Sequence, residues 1–464
     1  MAMKSLTAFI LAGLIALLSM ASPALAAERL ADATSPYLQL HKLDPVDWWP
    51  WGTEALAEAE RSDRPILLSI GYLACHWCHV MQDENFTDPE TAALMNEKFV
   101  NILVDREERP DIDALYQEAA AMMGMPGGWP MNIFLTPEGR PFYGGLYFPP
   151  EEELGMPAFR EVLRAVSDTW REDPANVQLF GFRIMSAIEA SSAAKSGEAP
   201  PAPAQLNSAW REMLADIDPF NGGFGDSAKY PRVPAVMTLW RSWLRSGDEP
   251  FRDAVVMSVN AMAKGAMYDH LGGGFARYTE DPDWLIPHFE KMLDINAQMV
   301  ALMTEVWRET RSPLLKARTE ETVAFLLREM RMEGGAFGSA LDADSLNEAG
   351  EKEEGAFFVW TEGEIDALLG DDAPLFKRAY DVTAAGNWEG VTILHRLGAT
   401  TDELAAAFDL SARDVEDRLA RARARLFEAR AKRPRPDFDD KAVADWNGLA
   451  IAALAEAGAA FDRP

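Results

Sequence analysis

Arg64-Pro65-Ile66-Leu67-Leu68-Ser69-Ile70-Gly71 is separated by three residues from Cys75-His76-Trp77-Cys78-His79, and this pairing of segments points to the fold. The first segment is a short apolar run bounded by Pro and Gly, the pattern of a buried strand. The second places Cys-x-x-Cys at a strand-to-helix junction, the arrangement of a dithiol redox pair. With Cys75 where the helix begins, the positive end of the helix dipole favours its thiolate. Cys78 lies one turn further on and faces back, so it is placed to attack a mixed disulfide and release the substrate. His76 and His79 flank the pair, and a protonated imidazole there would lower the thiol pKa further. The expected roles are Cys75 as nucleophile, Cys78 as resolving thiol and His76 as pKa modulator.

Three other readings compete. Cys75 to His79 spells C-x-x-C-H, the attachment pattern of c-type haem. Against it, a haem-c site needs a mostly helical wrap and a second axial ligand, whereas here the motif follows a buried strand. Zinc held by both cysteines and one histidine lacks a second nearby Cys or His pair to complete a tetrahedron. A purely structural disulfide across a two-residue gap closes too small a loop to stabilise much. The expectation is a redox dithiol with no cofactor and no metal.

Outward from the motif, Phe99 to Val104 and Met131 to Leu135 are further strand-like runs. Asp88-Pro89-Glu90 starts a helix, with Asp88 as its cap and Pro89 in the first turn. Thr136 to Gly139 is a turn, and Arg140 to Tyr143 a return strand. Strands alternating with helices indicate an α/β domain. Pro130 cannot donate to a sheet and so belongs at the start of the 131–135 strand. In thioredoxin-like folds a cis-proline there faces the C-x-x-C pair and shapes the substrate groove, so a cis Trp129–Pro130 bond is predicted.

The remaining features organise the chain. Residues 1–26 read as a cleaved secretory signal: Lys4, an uncharged run from Leu6 to Met20, and Ala24-Leu25-Ala26 as the cleavage pattern. The protein is therefore expected to be secreted or periplasmic, with no membrane span after cleavage and its two cysteines in an oxidising compartment. A net charge of -30, from 74 acidic against 44 basic residues, disfavours nucleic acid as a partner. Residues 191–205 (SSAAKSGEAPPAPAQ) read as a linker between a domain at 28–190 and another at 206–464. Beyond the linker, Met237–Leu244, Phe251–Met267, Ile295–Arg308, Leu314–Met332 and Ala412–Ala431 carry helix-spaced apolar residues. Gly222-Gly223-Phe224, Gly272-Gly273-Gly274-Phe275 and Gly334-Gly335-Ala336-Phe337 recur among them, which suggests an array of helical hairpins. The basic stretch from Arg421 to Arg435 is expected to be a solvated helix face pairing with acids elsewhere.

Several long motifs resemble one family closely. They are Ser35-Pro36-Tyr37-Leu38, Asp44-Pro45-Val46-Asp47-Trp48, Cys75 to Met81, Val104 to Asp111 and Gly127-Gly128-Trp129-Pro130. The match continues through Tyr268 to Phe275, Pro287 to Leu293, Asp342 to Ser345 and Asp445 to Leu449. The chain resembles the thioredoxin-domain proteins related to spermatogenesis-associated protein 20. The resemblance implies an α/β thioredoxin-like N-terminal domain followed by an all-α (α/α) toroid, similar to that of N-acylglucosamine 2-epimerases and some glycoside hydrolases. It fixes the fold better than the reaction. A complete six-hairpin toroid has twelve helices, whereas about eight are visible after Gln205. The toroid is therefore expected to be incomplete at the C-terminus, or completed by another polypeptide.

In such toroids the loops at the inner-helix ends line a central pocket. The polar residues near the Gly-Gly-Phe loops are its candidates: Asp269, His270, Arg277, Trp284, His288, Glu290, Asp342 and Asp344. His270 and His288 are an acid/base pair for epimerisation, or Glu290 with Asp342 or Asp344 a carboxylate pair for glycoside hydrolysis. Tyr278 and Trp284 would stack on a sugar. The same residues also cap helices and satisfy loops. The expected partners are protein or small-molecule thiols, with a carbohydrate in the toroid as a further candidate.

Overall fold

The computed structural model describes residues 29–153, 155–193 and 202–463. The leader at 1–26 and most of the expected linker lie outside them. The chain divides into two compact units, 1–195 and 196–464.

The first unit is built on five strands: β1 Trp48–Pro50, β2 Ile66–Gly71, β3 Val100–Asp105, β4 Met131–Leu135 and β5 Pro141–Gly145. Their order is β1-β3-β2-β4-β5. β3 runs parallel to β1 and β2, and β4 runs antiparallel to β2 and β5. This is the thioredoxin-like sheet. β2, β3 and β4 are buried throughout, as expected of central strands covered on both faces. Ile66, Leu68, Ile70, Val100, Ile102, Val104, Met131, Ile133 and Leu135 alternate onto one core face. Its helices are α1 Pro36–Leu40, α2 Thr53–Ser62, α3 His76–Met81, α4 Pro89–Lys98, α5 Pro110–Met122, α6 Phe159–Glu172 and α7 Pro174–Ser192. The Asp88 carboxylate caps α4 by accepting from Thr91 N at 2.7 Å, as its position before Pro89 predicts.

The second unit is mainly helical: α8 Pro203–Ala215, α9 Val233–Ser246, α10 Glu249–Lys264, α11 Leu293–Thr310, α12 Pro313–Phe325, α13 Glu362–Leu369, α14 Ala373–Tyr380, α15 Thr401–Phe408, α16 Ala412–Arg430 and α17 Ala444–Phe461. Short strands join them: β6 Tyr278–Thr279, β7 Pro287–His288, β8 Lys291–Met292, β9 Ala340–Leu341, β10 Asp344–Leu346, β11 Lys352–Glu354 and β12 Phe438–Asp439. It is the helical, toroid-like part of the chain. Among the described residues no helix is long and apolar enough to cross a membrane.

The Gly-Gly-Phe motif is a structural repeat. Each copy is closed by an antiparallel bridge: Ile217–Phe224, Tyr268–Phe275 and Arg331–Phe337. The first two turns are closed alike, Asp218 N donating to Gly223 O at 2.9 Å and Asp269 N to Gly274 O at 3.0 Å, and the third is one residue tighter, with Met332 N donating to Ala336 O at 2.8 Å. Positive φ at Gly222, Gly223, Gly273, Gly274 and Gly335 explains why glycine recurs there.

Two boundaries differ from the sequence reading. Ser191 and Ser192 close α7, and Pro203 to Gln205 open α8. The expected linker of 191–205 is therefore shorter at both ends. Small residues without apolar periodicity still extend a helix whose preceding turns, at Ile184 and Ile188, are anchored in the core.

Candidate functional site

Cys75 caps α3, and its Sγ accepts from Cys78 N at 3.3 Å. The two cysteines are joined as a disulfide with Cα atoms 5.2 Å apart. Both are buried, Cys75 at 3% and Cys78 at 2% exposure, while Trp77 between them is 45% exposed. The motif thus turns an aromatic ring outward and its sulfurs inward. Trp77 also lies 5.3 Å from the Tyr147 ring.

The Trp129–Pro130 bond is cis, as predicted, and Pro130 immediately precedes β4. The loop leading to it is braced from α5. Gln117 Nε2 donates to Gly128 O at 3.0 Å, and Asp113 accepts from Trp129 Nε1 at 2.8 Å. Asp113 also pairs with Arg106 at 3.1 Å, and the Arg106 guanidinium stands 4.2 Å over the Trp129 ring. Trp129 meets Tyr72 edge-on at 5.9 Å. Tyr72 lies just ahead of Cys75, so the loop around Pro130 is fixed against the segment that carries the dithiol. His76 packs at 5.5 Å on Trp77.

A group the sequence reading passed over stands behind the sulfurs. Ser35 caps α1 and donates to Asp105 Oδ2 at 2.6 Å. This holds Tyr37 in the interior at 1% exposure. His41 pairs with Asp44 at 2.7 Å, and Asp44 also accepts from Trp48 Nε1 and Gln82 Nε2. The signal for this cluster was present in the motif from Ser35 to Trp48, but that motif was read only as a family mark.

In the second unit the candidate residues separate into three settings. Asp269 accepts from Lys291 at 2.6 Å and from both terminal nitrogens of Arg430 at 2.9 and 2.8 Å. Burial pushes its carboxyl up, but Arg430 and Lys291 outweigh that and hold it well below the usual range. Burial pulls Lys291 down to about 8, with Arg430 adding to the effect and Asp269 opposing it. This is a structural clamp.

His270 Nδ1 accepts from Arg318 at 3.2 Å, so the Nε2 proton goes to Gly265 O at 3.0 Å. Burial, then the Arg318 charge, hold it well below the ordinary histidine range. It is a neutral packing histidine. Trp284 is likewise not a sugar platform: it is 1% exposed, donates to Asn221 O at 2.9 Å and belongs to the main core. Both belong to loops that fold inward, which residue type alone does not reveal.

The third setting is a chain of charges. Arg277 reaches Glu290 at 3.2 Å, Glu290 meets His288 Nε2 at 2.9 Å, and Glu354 lies 2.6 Å from His288 Nδ1. Burial pulls His288 down, but Glu290, by charge and hydrogen bond, and then Glu354 push it up to about 10. His288 is therefore an imidazolium at neutral pH. Burial and Arg318 hold His270 below the ordinary histidine range whereas Glu290 and Glu354 raise His288, so the two candidates sit in opposite electrostatic settings. Asp344 lies opposite Glu354 across β10–β11, and its N donates to Asp342 Oδ1 at 3.2 Å. Tyr278 pairs with His288 across β6–β7 and stacks on Tyr230 at 4.5 Å. Glu354 and Tyr230 escaped the sequence reading, since nothing in Lys352-Glu353-Glu354 sets that carboxylate apart.

The basic stretch pairs with acids elsewhere, as expected, but it is not solvated throughout. Arg430 is 3% exposed and bound to Asp269, and Arg433 donates to Phe357 O and Val359 O and pairs with Glu364. These residues tie α16 and the turn after it to other elements.

Residues 27–189 match the family model Thioredox_DsbH, described as a protein of unknown function, DUF255. The chain is 35% identical to spermatogenesis-associated protein 20 of Homo sapiens over 94% of its own length and 59% of that protein's. Against the Rattus norvegicus protein the values are 36%, 94% and 59%. The chain is thus related to spermatogenesis-associated protein 20, as its motifs imply, and spans about three fifths of those relatives' length. Among solved structures, one titled DsbH oxidoreductase aligns over 27% of this chain and 85% of its own, at 22% identity and TM-score 0.21. A cellobiose 2-epimerase from Spirochaeta thermophila aligns over 56% of this chain and 82% of its own, at 15% identity and TM-score 0.25.

Proposed function

We propose that this chain is an exported thiol–disulfide exchange protein, with Cys75 as nucleophile and Cys78 as resolving thiol. The observation that carries the reading is the bonded Cys75–Cys78 pair at the start of α3 in a thioredoxin-like sheet. Cys75 thiolate attacks a substrate disulfide; Cys78 then displaces the substrate sulfur and re-forms the observed bond. Pro130 and the braced Trp129 shape the groove that receives the substrate, and His76 tunes the thiol. The partners are protein or small-molecule thiols. The leader pattern supports an oxidising compartment, where such a pair is maintained.

The test is a titration of free thiols against glutathione potential on the purified protein, with a visible spectrum of the same sample. A two-electron transition near or above about -230 mV supports exchange, and a pair still oxidised below about -300 mV is structural. A Soret band overturns the reading in favour of haem.

A second reading places a carbohydrate on the helical unit. It is favoured by the Tyr230–Tyr278 stack beside the Arg277–Glu290–His288–Glu354 chain, an aromatic face next to fixed charges. It predicts that a C75S/C78S double variant keeps full activity on a sugar.

A further inference from the structure

We propose that the Tyr37 hydroxyl donates a hydrogen bond to the Cys78 thiolate as that thiolate resolves a mixed disulfide on Cys75; this rests on the exchange reading above. The geometry comes from Gly71, the last residue of β2. A Cβ at Gly71 would lie 2.9 Å from Cys78 Sγ and closer still to Tyr37 Oη. The hydroxyl and the sulfur therefore converge on the same bare Cα. Both side chains are buried, Tyr37 at 1% and Cys78 at 2%.

Burial makes the step hard. A thiolate generated away from water loses its hydration and needs a donor in its place. The facing groups come from several elements. Asp105 ends β3, Asp44 follows α1, and the His41 ring stands 4.8 Å from Tyr37. His76 and His79 share α3 with Cys78. Burial, Asp105 and Asp44 all push the Tyr37 phenol up. It keeps its proton across the working pH range and acts as a donor, not as a base. The placement is held by Ser35, which caps α1 and bonds Asp105.

The step balances without an added reagent. The Cys78 thiol loses its proton, and its sulfur attacks Cys75 Sγ. The Cys75–substrate S–S bond breaks as the Cys75–Cys78 bond forms. The departing substrate thiolate takes the electron pair and one proton. The dithiol is oxidised and the substrate reduced. Tyr37 transfers no proton; its hydrogen bond stabilises the attacking sulfur.

Reduced full-length protein mixed with 5,5'-dithiobis(2-nitrobenzoate) separates the two stages. The first thionitrobenzoate released reports attack by Cys75, and the second reports resolution by Cys78. Tyr37→Phe is expected to leave the first phase unchanged and to slow the second about tenfold. The pH midpoint of the second phase should rise by about one unit, which a merely structural role would not move. An unchanged second phase and midpoint overturn the proposal. Absence of a second phase in the unsubstituted protein overturns the exchange reading itself. Should Tyr37→Phe not fold, 3,5-difluorotyrosine at position 37 keeps the shape with a more acidic phenol. The midpoint should then fall, and an unmoved midpoint overturns the proposal.

Discussion

Asp269 accepts both terminal nitrogens of Arg430 across 161 residues of sequence, and the same carboxylate takes the Lys291 ammonium. The three groups join the second Gly-Gly-Phe loop, β8 and the end of α16. Asp269 and Arg430 side chains are 8% and 4% exposed, so neither charge has a ready substitute in water.

Asp269→Asn therefore leaves two buried cations short of a counter-charge. The expected loss is about 3–5 kcal/mol, the scale of a broken buried pair, read by urea unfolding of the full chain. Asp218, itself 12% exposed, pairs with a single buried cation, Lys229, in the first loop at 2.5 Å. Asp218→Asn is expected to cost less, and equal losses would contradict the burial argument.

His288 links pH to stability. Its folded-state pKa is raised to about 10, against about 6.5 for a free histidine. A raised value means that its contribution is complete below the unfolded pKa and is lost as pH climbs through the folded one. The stability difference between the native protein and His288→Gln should thus be largest below about pH 6.5 and fade towards pH 10. A difference that is flat from pH 6 to 10 contradicts an imidazolium between Glu290 and Glu354.

Asn296 closes the second Gly-Gly-Phe loop by bonding both the N and the O of Phe275, at 2.7 and 3.0 Å. Asn447 does the same for Phe337 in the third, at 2.8 and 3.0 Å. Asn296 is fully buried whereas Asn447 is partly exposed. Asn296→Ala orphans two buried backbone groups and is expected to cost about 2–4 kcal/mol, with Asn447→Ala milder. Thermal melts of the two variants decide it.

Asp113→Ala removes the acceptor of Trp129 Nε1 and the partner of Arg106. The loop before Pro130 should loosen without loss of the sheet. Slower attack by Cys75 on a peptide disulfide, with an unchanged far-ultraviolet spectrum, is the expected outcome. An unchanged rate would mean that this brace does not shape the groove.

Local pattern was enough for the strands at 66–71, 100–105 and 131–135, for the cap at Asp88 and for the cis bond at Pro130. Each depends on neighbours in sequence: an apolar run between breakers, a side chain three residues from an amide, a proline at a strand's start. The helices at 362–369, 373–380, 401–408 and 444–461 carry little signal in sequence, as three are short and the last is an alanine-rich stretch with weak one-sided periodicity. The candidate list for the second unit gathered suitable residue types, but Trp284 is packed in the core, because residue type does not say which way a loop folds.

Residue order alone makes legible an α/β unit with Cys-x-x-Cys at a helix start, then a helical unit punctuated by glycine-rich turns. These features are set by periodicity, capping and glycine conformation, all of which act over a few residues. Only the closure of distant segments brought the Tyr37 hydroxyl and Cys78 Sγ to the space beside Gly71, Arg430 back to Asp269, and His288 between Glu290 and Glu354. A charge or hydroxyl takes its role from the partner that burial leaves it, and those partners are brought together by the closure of distant segments.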